Sequence, residues 1–187
     1  MPARKKEKPR APKLRRPLPE DLPDLYRMYS DPRMWWNQPG APHKNIQYTK
    51  LMLNQWLADW RYEAIGLWVA RDAIDRFLGV GGVRRCGKAW SLRYCVSPQY
   101  WHCGYGTYLA SAGVAAAQYF DKDLPVFLAT LRDNFTSCLI ADKLDFVHVR
   151  NDFEQVTGIG ARRIYANRMV STEAIHDFLI DRARLLD

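Results

Sequence analysis

Val96-Ser-Pro-Gln-Tyr-Trp-His-Cys-Gly-Tyr-Gly-Thr107 is the stretch on which the reading of this chain turns. Before it, Trp90-Ser-Leu-Arg-Tyr-Cys-Val96 carries a strand signal. After it, Tyr105, Leu109, Ala112, Ala116 and Phe120 recur at helical spacing. Gly104 and Gly106 stand at the junction. Glycines let a backbone come close to an anion. A helix N-terminus adds unpaired N–H groups and the positive end of its dipole. Strand, G-x-G and helix start together suit a pyrophosphate, although a G-x-G also makes ordinary turns. A dinucleotide fingerprint needs a third glycine where Leu109 stands, and no G-K-[ST] occurs, so neither of those nucleotide motifs is present.

Working outward, residues 14–19 read as a short extended lead-in. Residues 19–29 read as a first helix, with Leu22, Leu25, Tyr26 and Tyr29 on one face. Glu20 and Asp21 complement its N-terminal dipole. Residues 46–61 form a second helix carrying Leu53, Trp56, Leu57 and Trp60. Strands follow at 67–71, 77–83 and 90–96, with turns at 72–75 and 86–88. The helix of the opening motif spans about 104–120. Residues 126–131 read as a buried strand, 134–144 as a helix, 146–150 and 162–169 as strands, and 171–184 as an amphipathic helix. Gly79-Val-Gly-Gly82 lies inside a strand pattern and reads as close packing or a bulge. This order predicts an α+β fold around a mixed sheet.

A chain of 187 residues, 48% of them hydrophobic, suits one core. No apolar run approaches the roughly 18 residues of a membrane span, and no apolar segment follows the basic N-terminus as in a signal peptide. The expectation is a soluble, cytoplasmic protein with no membrane contact. Cys86, Cys95, Cys103 and Cys138 fit no zinc spacing, and the histidines form no metal motif, so no metal is expected. Between Arg4 and Arg16 lie eight Lys or Arg against Glu7, interrupted by prolines. Such a segment buries too little to offset ordering entropy. It reads either as a solubilising tail or as an arm that contacts RNA or the ribosome.

The opening motif resembles the GNAT superfamily of N-acetyltransferases, which carries Q/R-x-x-G-x-G/A at a strand–helix junction. Here the pattern is Trp101-His-Cys-Gly-Tyr-Gly106, with Trp in place of Gln or Arg. Tyr100-Trp-His-Cys-Gly-Tyr-Gly-Thr107, with Val96-Ser-Pro98 and Tyr94, is similar to the ribosomal-protein N-acetyltransferase subfamily. Downstream, Asn134-Phe-Thr-Ser-Cys-Leu-Ile-Ala-Asp-Lys-Leu-Asp-Phe146 resembles a second family motif. The resemblance spans about residues 14–169.

It implies a mostly antiparallel central sheet flanked by helices, with an acyl-CoA site at a splayed strand pair. It divides the chain into a tail, 1–13, and one acetyltransferase domain, 14–187, ending in the amphipathic helix. Acetyl-CoA is the implied co-substrate. Cys95, Val96, Trp101, His102, Cys103, Gly104, Tyr105, Gly106, Thr107 and Asn134 are implied to bind it. An N–H near Cys95 or Val96 is the implied oxyanion donor, and Asn134 the partner of the pantetheine arm. Many members place a thiolate-protonating Tyr where Ala141 stands and a Gly where Asp145 stands; the ribosomal-protein subfamily often has Ser at the position of Ser137, near the CoA sulfur, and the resemblance implies Ser137 as the candidate acid. Trp35 and Trp36 are candidate acceptor-site residues, with core or rim packing as the alternative. No base is assigned; Asp133, Glu63 or water would serve. The acceptor is an amine, with a protein N-terminal α-amine, a small amine and an antibiotic all open. A non-catalytic acyl-CoA-binding or ribosome-binding module also remains open.

Overall fold

The computed structural model describes residues 11–36, 42–152 and 161–184. Its strands are Lys13–Arg15 (β1), Leu67–Arg71 (β2), Phe77–Cys86 (β3), Ala89–Val96 (β4), Val126–Leu131 (β5), Val147–Asp152 (β6) and Arg162–Ala166 (β7). They form one sheet in the order β1-β2-β3-β4-β5-β7-β6. Every neighbouring pair is antiparallel except β4–β5. The flanking helices are Leu22–Tyr29 (α1), Ile46–Tyr62 (α2), Tyr105–Phe120 (α3), Phe135–Lys143 (α4) and Thr172–Arg184 (α5). The mixed α+β architecture expected from the sequence is therefore present.

Alternation along the strands sorts the helices onto two faces. Val83, Trp90 and Leu92 point to the face that meets α3 and α4, in a cluster with Ala110, Ala117 and Ile140. Val80 points to the opposite face, among Leu25 and Met28 of α1 and Leu53 and Trp56 of α2. Further along that second face, Cys86 and Phe127 pack on Phe178 of α5. Gly81 explains how α3 lies so near the sheet: a Cβ there would sit 2.7 Å from Leu109 Cβ. This is the close-packing reading of the Gly79–Gly82 run.

Several boundaries differ from the sequence reading, among them β1 at Lys13–Arg15 and β6 at Val147–Asp152. Residues 19–21 are a 3-10 turn, with α1 starting at Leu22. β3 runs on through Arg84 and Arg85, which had looked like the approach to a turn. Arg84 is buried because Asp59 of α2 accepts its guanidinium at 2.6 and 3.1 Å. A paired charge can sit inside where an unpaired one could not. β7 stops at Ala166, because Asn167 turns to bond Val126 through both its side chain and its N–H.

Asp21 ties the beginning of the chain to the sheet. Its carboxylate, with no exposed surface, accepts from Arg15 at 2.6 and 2.7 Å, Arg71 at 2.8 Å and the Leu18 N–H at 2.8 Å. Burial alone would raise its pKa, but these donors together hold it below the ordinary aspartate value. Its stabilising contribution is therefore full above the unfolded pKa and is lost as pH falls through the lower folded one. Asp21→Asn, which removes the carboxylate shared by Arg15 and Arg71 but leaves Arg71 paired with Asp24 at 2.8 Å, is expected to destabilise the protein by about 1–3 kcal/mol. Urea denaturation at neutral pH measures this, and the difference from the parent should shrink toward pH 3.

Candidate active site

The parallel β4–β5 pair is joined only at Trp90↔Val126 and Ser91↔Phe127. β4 continues to Val96 and β5 to Leu131, but without further pairing to each other. On its other side β4 stays paired with β3 along its whole length. The strands thus splay after two residues. In a strand, the N–H and C=O of one residue point to the same side, and alternate residues point oppositely. Trp90 N–H bonds Pro125 C=O on the β5 side, and Ser97 N–H bonds Leu78 C=O on the β3 side. By that alternation Tyr94 and Val96 direct their backbone groups into the splay, whereas Cys95 directs its own to β3. Of the two expected oxyanion donors, only Val96 lies on the open side.

Trp101 occupies the end of this edge. Its indole N–H donates to the Val96 C=O at 2.7 Å, which leaves the Val96 N–H as the group facing the gap. His102, exposed with φ 61°, and Gly104, with φ 86°, turn the chain into α3. Gly104 is the N-cap, and no side chain caps the helix. A Cβ on Gly104 would meet nothing within 4 Å, so its glycine serves conformation and open space rather than packing. The half-buried Tyr105, Gly106 and Thr107 follow. The first N–H groups of α3 lack intrahelical partners and lie next to the open β4 edge. Cys103 is also half-buried, its thiol turned to the Trp101 carbonyl. The ten residues expected to hold acyl-CoA therefore divide into nine along this strand–loop–helix and Asn134 on α4.

Asn134 is the N-cap of α4. Its Oδ1 accepts from the Ser137 N–H at 3.1 Å, so only its amide N–H groups remain for a ligand. Ser137, one helical turn on, faces Tyr94 of β4. Burial raises the Tyr94 pKa well above that of an ordinary phenol, with Ser137 acting in the opposite direction. The two hydroxyls do not reach hydrogen-bond geometry, and the Tyr94 O–H is buried without a partner. A buried unpaired hydroxyl beside a gap is a donor held for something that enters it. The sequence had marked Tyr94 only as part of a motif.

Trp35 and Trp36 separate. Trp35 donates its indole N–H to the Tyr29 C=O at 2.8 Å and packs with the α1–α2 cluster, whereas Trp36 is exposed. His43, which no motif pointed to, stacks on Tyr29 with centroids 5.0 Å apart and bonds Thr49 Oγ1 through Nδ1 at 2.8 Å. Burial lowers its pKa, so its ring is neutral at physiological pH. Asp133 and Glu63 are both exposed.

Residues 13–147 match the family described as acetyltransferase (GNAT) domain. The chain belongs to the GNAT acetyltransferases. Solved structures agree on the fold. A protein from Bordetella pertussis, described as a GNAT-family acetyltransferase, superposes with a TM-score of 0.70 at 14% identity, covering 85% of this chain and 96% of that one. A ribosomal alpha-N-protein acetyltransferase gives 0.67 at 14% identity, covering 86% and 91%. The spermidine N-acetyltransferase of Vibrio cholerae, solved with CoA and spermine, gives 0.65 at 14% identity, covering 88% and 98%. No curated protein matches the chain. For a GNAT protein the strand splay beside an uncapped helix is the family's architecture carried by this sequence. Among the described residues no His, Cys, Asp and Glu group could hold a metal ion, and no helix is long and apolar enough to cross a membrane.

Gly106 sets the spacing of α3 and α4, since a Cβ there would lie 3.0 Å from Ile140 Cδ1. Gly106→Val is expected to push the helices apart and lower stability by about 1–3 kcal/mol. Gly106→Ala asks only one flexible methyl to move and should stay within about 1 kcal/mol of the parent. Urea titrations of both variants check the contrast.

Proposed function

We propose that this protein moves an acetyl group from acetyl-CoA to a primary amine, with a protein N-terminal α-amine as the acceptor class. The observation that carries this reading is the unpaired β4 edge running into the uncapped N-terminus of α3. An amide-bearing arm laid along that edge gains strand-like hydrogen bonds, and a pyrophosphate reaches the helix N–H groups. His102, Cys103, Gly104, Tyr105, Gly106 and Thr107 would line the pyrophosphate, and Asn134 Nδ2 would meet the arm. In the reaction the neutral amine attacks the thioester carbonyl. Negative charge forms on its oxygen, and the C–S bond then breaks. The Val96 N–H is the donor for the oxyanion. The departing thiolate takes a proton from the Ser137–Tyr94 hydroxyl pair, where Tyr94 is neutral at pH 7 and its proton unengaged. The amine proton leaves through water, because Trp90–Val96 contains no acid.

Acetyl-CoA at about 100 times its dissociation constant should stabilise the fold by about 2.7 kcal/mol. No shift in melting temperature at millimolar ligand would sink the reading. Ser137→Ala and Tyr94→Phe should each lower kcat about tenfold or more with little change in KM, because a proton donor acts mainly in the transition state. Rates within about twofold of the parent in both variants would assign the proton to water.

The basic segment is proposed to bring the enzyme to ribosomal RNA or a ribosome-bound chain by counterion release. Residues 1–10 lie outside the described residues, and β1 already begins at Lys13, so a clean truncation stops at residue 10. Removing residues 1–10 should leave acetyl-CoA binding unchanged and weaken ribosome binding at low salt, with the difference fading as salt rises. Equal binding by both proteins at low salt would make the segment a solubilising extension only.

A further inference from the structure

The sheet face opposite α3 is covered by two groups of helices, α1–α2 over β2, β3 and Cys95 of β4, and α5 over Cys86, Ala89, β5 and β7. Arg93 of β4 belongs to neither cluster. It alternates with Tyr94, so its side chain leaves the sheet on this face, two residues from Cys95, which packs beside Tyr29. Gly82 is its cross-strand partner on β3, so no side chain from that position covers it. Arg93 is half-buried, and it makes no hydrogen bond or ion pair with the described residues. Arg84 of β3 and Arg182 of α5 both act against its charge, and Tyr29 and Cys86 are the titratable groups on the other side. Asp59, the acid paired in this region, is committed to Arg84. Burial, reinforced by these two arginines, lowers the Arg93 pKa to about 10, which still leaves it charged at neutral pH.

A half-buried guanidinium with no protein partner is able to receive an anion through charge-assisted hydrogen bonds. If the coenzyme enters from the α3–α4 face, the opposite face is the one left to the acceptor. Arg93 lies three positions before Val96 on the same strand, about 10 Å at ordinary strand rise. That distance corresponds to two or three residues of an extended acceptor measured from its amine.

We propose that Arg93 is a specificity-determining residue that receives a carboxylate carried within the first two or three residues of the acceptor. This rests on the acetyl-transfer reading above, and it narrows the acceptor to an amine with a nearby carboxylate. The carboxylate comes either from an acidic side chain near a peptide N-terminus or from the C-terminal α-carboxylate of a dipeptide or tripeptide. Polyamines, which bring further cations, are excluded by the same field.

The test uses the full-length protein and Arg93→Gln, with Arg93→Lys as a charge-retaining control. Turnover is measured on short peptides beginning Ser-Glu or Ser-Gln, on the dipeptide Ser-Ala and its C-terminal amide, and on spermidine. The parent should show kcat/KM at least about tenfold higher for a carboxylate-bearing acceptor than for its amide counterpart, the size expected for a charge-assisted hydrogen bond. R93Q should lose that preference, chiefly through KM, while R93K keeps part of it. Preference for Ser-Glu over Ser-Gln peptides identifies the side-chain source, and preference for Ser-Ala over its amide the α-carboxylate. Independently of turnover, succinate should raise the melting temperature of the parent and not of R93Q, while acetyl-CoA shifts both equally. Without any ligand, R93Q should melt at or above the parent temperature, because no hydrogen bond or ion pair to the described residues is lost. Equal preference in parent and R93Q, equal succinate shifts, or a marked drop in R93Q melting temperature each overturns the proposal. Failure of acetyl-CoA to shift either protein refutes the acetyl-transfer reading instead, and the succinate comparison then decides Arg93 alone.

Discussion

Two residue pairs join β4 to β5, and everything of chemical interest follows from their being only two. A sheet that breaks its ladder in the middle leaves backbone donors and acceptors without partners, a state that folded proteins rarely tolerate. Here the break is held open from outside. β4 is clamped along its length by β3, and β5 is clamped by β7 over five pairs. Each strand is secured by its outer neighbour, so neither can close on the other. The gap is a property of the whole sheet rather than of a flexible loop.

The two sheet faces then divide the work. On one, Gly81 admits α3 to within contact of β3, which brings the α3 N-terminus to the end of the β4 edge. Gly106 and Ile140 fix where α4 lies against α3, and α4 in turn sets Asn134 and Ser137 near Tyr94. On the other face the α5 cluster reaches β4 at Ala89 and the α1–α2 cluster reaches it at Cys95, with Arg93 between these two positions. Asp21 and Asp59 do the remaining electrostatic work by holding Arg15, Arg71 and Arg84 in place. Both acids neutralise cations beside the sheet.

Much of this was legible in the residues. The helical stripe after Gly106 and the short apolar run at 126–131 gave their elements to within a residue or so, because each is a strong local pattern facing a core. The turn into α3 was legible from Gly104, which does adopt a left-handed conformation. The extension of β3 through Arg84 was not, since the acid that permits it lies 25 residues away on α2. Nor was the end of β7, which depends on Asn167 bonding Val126, 41 residues distant. The same limit applied at the site. Tyr94, His43 and Arg93 draw their significance from what surrounds them in space. A sequence shows a tyrosine or an arginine, but not whether its polar end has found a partner.

The indole of Trp101 stands where many relatives carry Gln or Arg, and its hydrogen bond to Val96 has an effect on polarity. It removes the last carbonyl of the β4 edge from use and leaves the neighbouring N–H exposed to the gap. With the α3 N–H groups and the Asn134 amide, the far end of the groove becomes a run of donors with few acceptors. A molecule bound there is sorted by which way its own dipoles point. One that presents oxygens is welcomed in a single orientation, and its reverse meets donor against donor. Direction of binding is thus written into the groove by one side chain before any shape is compared.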